Sequence, residues 1–169
     1  MTASSTKRLL RSPLARSAAL WALRLVLGGL FTLAGVLKFA APGEFALEIH
    51  NYQLFPALAP VLAAALPAVE IAVGVAVLAA PRPWLRAGAL VSTALMVIFT
   101  LAVGSAVARD ININCGCFGA GASPVTLITV LRDVALLAAS GALLRLTGDG
   151  PGSPSPAARP PPAAACTGA

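Results

Sequence analysis

The chain has 169 residues, of which 58% are hydrophobic and only 11% charged, with a mean hydropathy of +0.87. A soluble domain of that size needs far more polar surface, and here the apolar residues run in long blocks instead of a period of about 2.0 or 3.6. Lipid is the implied solvent, and the net charge of +6 reads as membrane topology rather than nucleic-acid binding, because most basic residues flank the apolar blocks.

Residues 1–17 form a basic N-terminal segment with Lys7, Arg8, Arg11 and Arg16. The first apolar block covers about 18–41, which is too long for the h-region of a cleaved signal peptide. It carries Arg24 and Lys38 and is followed by three more blocks, so it reads as a membrane anchor. Arg24 is expected to snorkel to the nearer headgroups. Pro42-Gly43 ends this span. A half-polar stretch from Glu44 to Gln53 then predicts a short interfacial helix, with Phe45, Tyr52 and Phe55 near the headgroups. The second span covers about 57–80 and contains Pro67 and Glu70. Pro81 to Arg86 reads as a tight basic turn before the third span at about 87–108. A loop with Asn112, Asn114, Cys115, Gly116, Cys117, Phe118 and Gly119 leads to the fourth span at about 125–146.

The fold class is therefore an all-α membrane protein, with a four-transmembrane-helix bundle over 18–146. Residues 147–169, rich in Pro, Ala and Gly, have almost nothing to bury and predict a disordered tail. The last four residues have the length of a prenylation box, but Thr167 and Gly168 are not aliphatic. Cys166 in that tail reads as an incidental thiol. Gly28, Gly29, Gly74, Gly88, Gly104 and Gly141 offer close helix contacts.

Lys7, Arg8, Arg11, Arg16, Arg82, Arg86 and Arg145 fall on one side of the predicted bundle. The other side has Arg109 as its clear basic loop residue, beside Glu44, Glu48 and Asp110. The positive-inside rule then puts both termini in the cytoplasm of a multi-pass protein of the inner (cytoplasmic) membrane. The Cys-Gly-Cys loop faces outward, toward the compartment where thiols and disulfides of exported proteins interconvert.

Cys115 and Cys117 are separated by one glycine, which gives the backbone freedom a small disulfide ring needs. Strained disulfides are labile, so the pair suits exchange. A structural loop disulfide and a soft-metal site with His50 are the alternatives. His50 itself reads more simply as an interfacial polar residue. Lys38, near the outer end of its span, either snorkels outward or places a cation beside the cysteines, where it favours a thiolate. Glu70 lies roughly 20 Å into its span and Asp133 roughly 12 Å into the fourth, with Arg132 beside it. Such groups are paired or face water, because each costs on the order of a few kcal/mol in lipid. Two arrangements follow: an Arg132–Glu70 or Lys38–Asp133 pair that locks the bundle, or a polar cavity beneath the cysteine loop that takes up protons when thiols are oxidised.

The run Cys115-Gly116-Cys117-Phe118-Gly119, about a dozen residues ahead of Leu131-Arg132-Asp133, resembles the MauE family of methylamine-utilisation membrane proteins. Gly35-Val36-Leu37-Lys38-Phe39 and Glu70 fit the same family, whose DoxX-like relatives share the four-helix layout. The resemblance covers roughly Leu20 to Leu146, and its most specific part is the Cys-x-Cys-Phe-Gly run. It implies a redox-associated inner-membrane protein linked to maturation or export of a disulfide-rich periplasmic enzyme subunit. It also implies a thioredoxin-like extracytoplasmic partner. Four-helix thiol oxidoreductases of the vitamin K epoxide reductase type are similar in architecture but use further loop cysteines. This chain has only Cys115 and Cys117 on the predicted outer side.

Three function classes remain open on the sequence. The first is a membrane thiol–disulfide oxidoreductase. In it Cys115 or Cys117 forms a mixed disulfide with its partner, Lys38 favours the thiolate, Glu70, Arg132 and Asp133 line the cavity, and a quinone is the candidate cofactor. The second is a non-enzymatic assembly or transport scaffold with a structural disulfide or metal. The third and weaker is a small-solute transporter, for which no inverted repeat is visible and a homodimer would supply the missing helices.

Overall fold

The computed structural model describes residues 13–111 and 126–148, and within them the chain is helical with no strand. Helix α1 spans Pro13–Ala40, α2 Pro42–Asn51, α3 Ala59–Ala79, α4 Arg82–Ala108 and α5 Leu127–Gly148; a single 3-10 turn at Pro56–Leu58 leads into α3. Four segments are long and apolar enough to cross a membrane: Leu14–Ala40, Pro56–Ala79, Arg82–Ala108 and Leu127–Gly148. In lipid a helix is the natural solution for such segments, because it satisfies the backbone polar groups internally.

The spanning helices begin and end a few residues from where hydropathy alone puts them. One such difference is at the Pro81–Arg86 stretch, expected to be a turn. There α4 already starts at Arg82, with Pro81 as its extended N-cap and proline in its first turn. The first turn of a helix has no partner for its N–H groups, so proline is tolerated there and the connection shrinks to Ala80-Pro81. The short helix α2 forms as expected, between Pro42 at its start and the left-handed Gln53 (φ 53°) just beyond its end. Phe45, however, is buried rather than at the headgroups, while Phe55 is exposed.

The helices pack chiefly as two pairs, α1 with α3 and α4 with α5, and α3 and α4 join them. Glycine makes the first pair possible. A Cβ on Gly28 would lie 2.9 Å from the Gly74 carbonyl oxygen, and one on Gly35 2.8 Å from that of Pro67. A Cβ on Gly74 would meet the Thr32 backbone nitrogen at 2.6 Å. Only glycine fits at these crossings, and the rising numbers on α1 against falling numbers on α3 fix the pair as antiparallel. Leu27, Phe31, Val73, Val77, Ala89, Leu95, Met96 and Leu143 form the buried core. Leu25, Leu90, Ile98, Leu101 and Leu131 are exposed on the flanks that lipid covers.

Two arginines of α1 tie helix ends together. Arg24 is only 8% exposed, so it does not snorkel outward as expected. It donates to the carbonyls of Val77, Leu78 and Ala80 at 2.8, 2.9 and 3.0 Å, and its guanidinium lies 4.7 Å from the Trp21 ring. The last carbonyls of a helix lack intrahelical partners and carry the negative end of its dipole, so a guanidinium satisfies both needs. Arg16 makes the same kind of bond to the Leu146 carbonyl near the end of α5, at 3.2 Å. Lys7, Arg8, Arg11 and the expected tail with Cys166 lie outside the described residues.

Candidate functional site

At the end of the bundle opposite Arg24, α1, α3 and α5 each contribute charge to one interior cluster. Lys38 is 4% exposed, Glu70 1% and Asp133 2%. Lys38 Nζ donates to Glu70 Oε1 at 2.5 Å. Arg132 Nη2 and Nε donate to Asp133 Oδ1 at 3.1 and 3.2 Å, and the Arg132 side chain is 39% exposed. Both crossed pairings read as alternatives from the sequence are thereby replaced. Glu70 meets Lys38 because α1 and α3 are the tightest neighbours, whereas Asp133 is held by the residue beside it on its own helix. Lys38 points inward rather than snorkelling.

Each carboxylate is only half satisfied. Glu70 Oε2 and Asp133 Oδ2 are buried without a hydrogen-bond partner among the described residues. Lys38, Glu70, Arg132 and Asp133 share a small void of about 50 Å3, walled by Leu27, Phe31, Met96, Phe99 and Leu136. A void of that size admits water, and its orphan oxygens are the partners water needs. The void is narrow and mostly apolar in its walls, and the cysteine loop expected above it lies outside the described residues.

Beside it lies a much larger chamber of about 590 Å3 between α2, α3 and α4, with Lys38 at the boundary of both. The Lys38 ammonium lies 5.1 Å from the centroid of Phe45 and 5.3 Å from that of Phe99, within reach of cation–π attraction. Glu48 reaches the chamber from α2, and its Oε2 is also buried without a partner among the described residues. Burial pushes the Glu48 carboxyl above the ordinary 4.5; Lys38 opposes that and Glu44 adds to it. The sequence singled out Lys38 and Glu70 but missed Phe45, Phe99 and Glu48. An aromatic in a hydrophobic span carries no signal of its own, and α2 read as an interfacial helix.

The loop that carries the cysteines leaves α4 at this same end. Asp110 (φ 51°) takes the left-handed position after the helix. Its N–H bonds the Val107 carbonyl at 3.1 Å, and the Ile111 N–H bonds that of Ala106 at 3.1 Å, the paired closure of a Schellman stop. Arg109 then donates to the Tyr52 carbonyl at 2.7 Å, tying the end of α4 to the end of α2. Cys115 and Cys117 lie outside the described residues. His50 is exposed, and no group of three or more His, Cys, Asp and Glu residues that could hold a metal occurs among the described residues.

The family model described as methylamine utilisation protein MauE matches residues 16–146. The chain belongs to the MauE family. It is 38% identical over 122 residues to the methylamine utilization protein MauE of Paracoccus denitrificans. The alignment covers 70% of this chain and 64% of the relative, so it spans less than two thirds of the relative's own length. No solved structure matches the chain. The matched stretch contains Lys38, Glu70, Arg132 and Asp133 as well as Cys115 and Cys117.

Proposed function

We propose that this MauE-family protein supports thiol–disulfide exchange on exported proteins, with Cys115 and Cys117 as the exchanging pair. One cysteine forms a mixed disulfide with a thioredoxin-like extracytoplasmic partner and its neighbour resolves it. The observation that carries the reading is the buried cluster of Lys38, Glu70, Arg132 and Asp133, at the end of the bundle from which the cysteine loop departs. Two of its carboxylate oxygens, without a partner among the described residues, offer proton acceptors within a membrane interior. Thiol oxidation releases protons, so a proton acceptor nearby is what the chemistry needs. Lys38 is matched by Glu70, so its task is to hold that carboxylate charged and oriented rather than to lower a thiol pKa directly.

The setting follows from the relative's name and from charge. The relative's name supports a setting within a methylamine-utilisation system. The basic end carrying Arg16, Arg82, Arg86 and Arg145 faces the cytoplasm of the inner membrane. The test is a trapping experiment in native membranes. Cys117→Ser, and separately Cys115→Ser, is expressed and quenched with acid and alkylating agent. One of the two variants should accumulate a reductant-sensitive adduct with a Cys-x-x-Cys protein. Absence of an adduct from both would remove the exchange reading and leave the scaffold.

A further inference from the structure

The chamber between α2, α3 and α4 is too large and too apolar to serve the charge cluster alone. At about 590 Å3 it has the volume of a small-molecule site. Leu62 and Leu66 wall it from α3 and Ile98 and Leu101 from α4. Ile98 and Leu101 are also 58% and 67% exposed on a membrane-spanning helix, so the chamber communicates with the acyl-chain region. Its occupant is therefore a molecule that partitions into the bilayer.

The polar groups at the inner end choose among such molecules. Lys38 has three N–H donors, and Glu70 Oε1 takes one of them, so an acceptor oxygen on the occupant has a donor to meet. The rings of Phe45 and Phe99 flank that same ammonium and offer faces to a planar head. Glu48 Oε2, buried and without a partner among the described residues, waits for a donor. An anionic head, such as that of a fatty acid, is a poor match: the one ammonium is already balanced by Glu70, and Glu48 adds a second carboxyl. A neutral ring with oxygen acceptors meets the Lys38 donor, and the hydroxyl donors it gains on reduction suit Glu48.

We propose that this chamber binds a lipid-soluble quinone, its ring oxygen at Lys38, its ring against Phe45 and Phe99, and its tail along Leu62, Leu66 and Leu101 toward the bilayer. The inference deepens the thiol-exchange reading by naming its electron acceptor, and it rests on that reading for the electron-transfer step alone. Re-forming one disulfide from two thiols releases two electrons and two protons, which convert one quinone to one quinol.

The test is a titration of the purified full-length protein, in phosphatidylcholine nanodiscs, with decylubiquinone. The expected result is saturable binding of about one molecule per chain. It should be weakened at least tenfold by a change at Ala102, which lines the chamber from α4, to Phe (Ala102→Phe) or, on the opposite wall, by Leu62→Trp, both checked for an unchanged size-exclusion profile. Uptake that never saturates above that of empty nanodiscs would overturn the proposal. So would displacement of the quinone by an equal concentration of palmitate, or variants of intact profile that bind as tightly as the unaltered protein. The Cys115→Ser/Cys117→Ser double variant separates the two readings. It should bind decylubiquinone unchanged, so loss of exchange leaves the site standing, and loss of quinone binding in an exchange-competent protein removes only the acceptor.

Discussion

Lys38 and Glu70 are the residues on which the interior of this bundle turns. A carboxylate and an ammonium buried to 1% and 4% exposure are tolerable only together, because either one alone is an uncompensated charge in a low-dielectric interior. Replacing Glu70 by Leu should therefore cost about 3–5 kcal/mol of stability, the range for breaking a buried pair, and Lys38→Met should behave alike. The Lys38→Met/Glu70→Leu double variant should recover most of that loss, as read by thermal melting in detergent. A double variant no better than the sum of the singles would mean that the pair is not coupled. Glu48 gives a pH signature. Burial raises its carboxyl above 4.5 in the folded protein, so the stability linked to its bound proton is full at lower pH. It is lost as pH rises from the ordinary carboxylate value through the raised one. The melting temperature should fall across that interval, and Glu48→Gln should flatten the fall; an equally steep profile in the variant would assign the effect elsewhere. The sequence announced these charges by their depth in apolar spans. It did not announce their partners, because pairing depends on which helices adjoin, and a Lys38–Asp133 pair satisfies the same hydropathy as the Lys38–Glu70 pair that forms.

Between helices, the α1–α3 seam rests on glycines with no space for a side chain. Gly74→Ala would push a methyl to 2.6 Å from the Thr32 backbone nitrogen, and backbone yields only by moving the whole helix. That should destabilise the bundle by about 1–3 kcal/mol, the ordinary range for overpacking. Gly29→Ala, on the same helix as Thr32, has nothing within 4 Å of the new methyl and should be neutral or slightly stabilising. Equal losses at both sites would show that the seam is not where the packing is decided. Lipid-spanning length made the four main helices legible in the sequence, and Pro42-Gly43 marked the break before α2. The start of α4 was hidden because proline in a first helical turn looks, in sequence, like proline in a loop. The bonds from Arg24 to the end of α3 were hidden for a different reason: an arginine near a span terminus fits either snorkelling or capping, and only the neighbouring helix decides.

At the scale of the molecule, the account orients a basic end carrying Arg16, Arg82, Arg86 and Arg145 against an opposite end carrying α2, Asp110 and the base of the cysteine loop. A fluorescent reporter active only in the cytoplasm, fused after Gly148, should light. A reporter that works only after export should be active when fused after Ile111; the reverse pattern would invert the topology and remove the cysteines from the exchanging compartment. The central claim is that Cys115 and Cys117 exchange rather than staple. Its most direct measurement is the reduction potential of that pair, by thiol alkylation of membranes across graded redox buffers. The account predicts a reversible transition within roughly −120 to −270 mV, the range of thiol oxidoreductases. A pair that stays oxidised below about −300 mV would behave as a structural bond and contradict it.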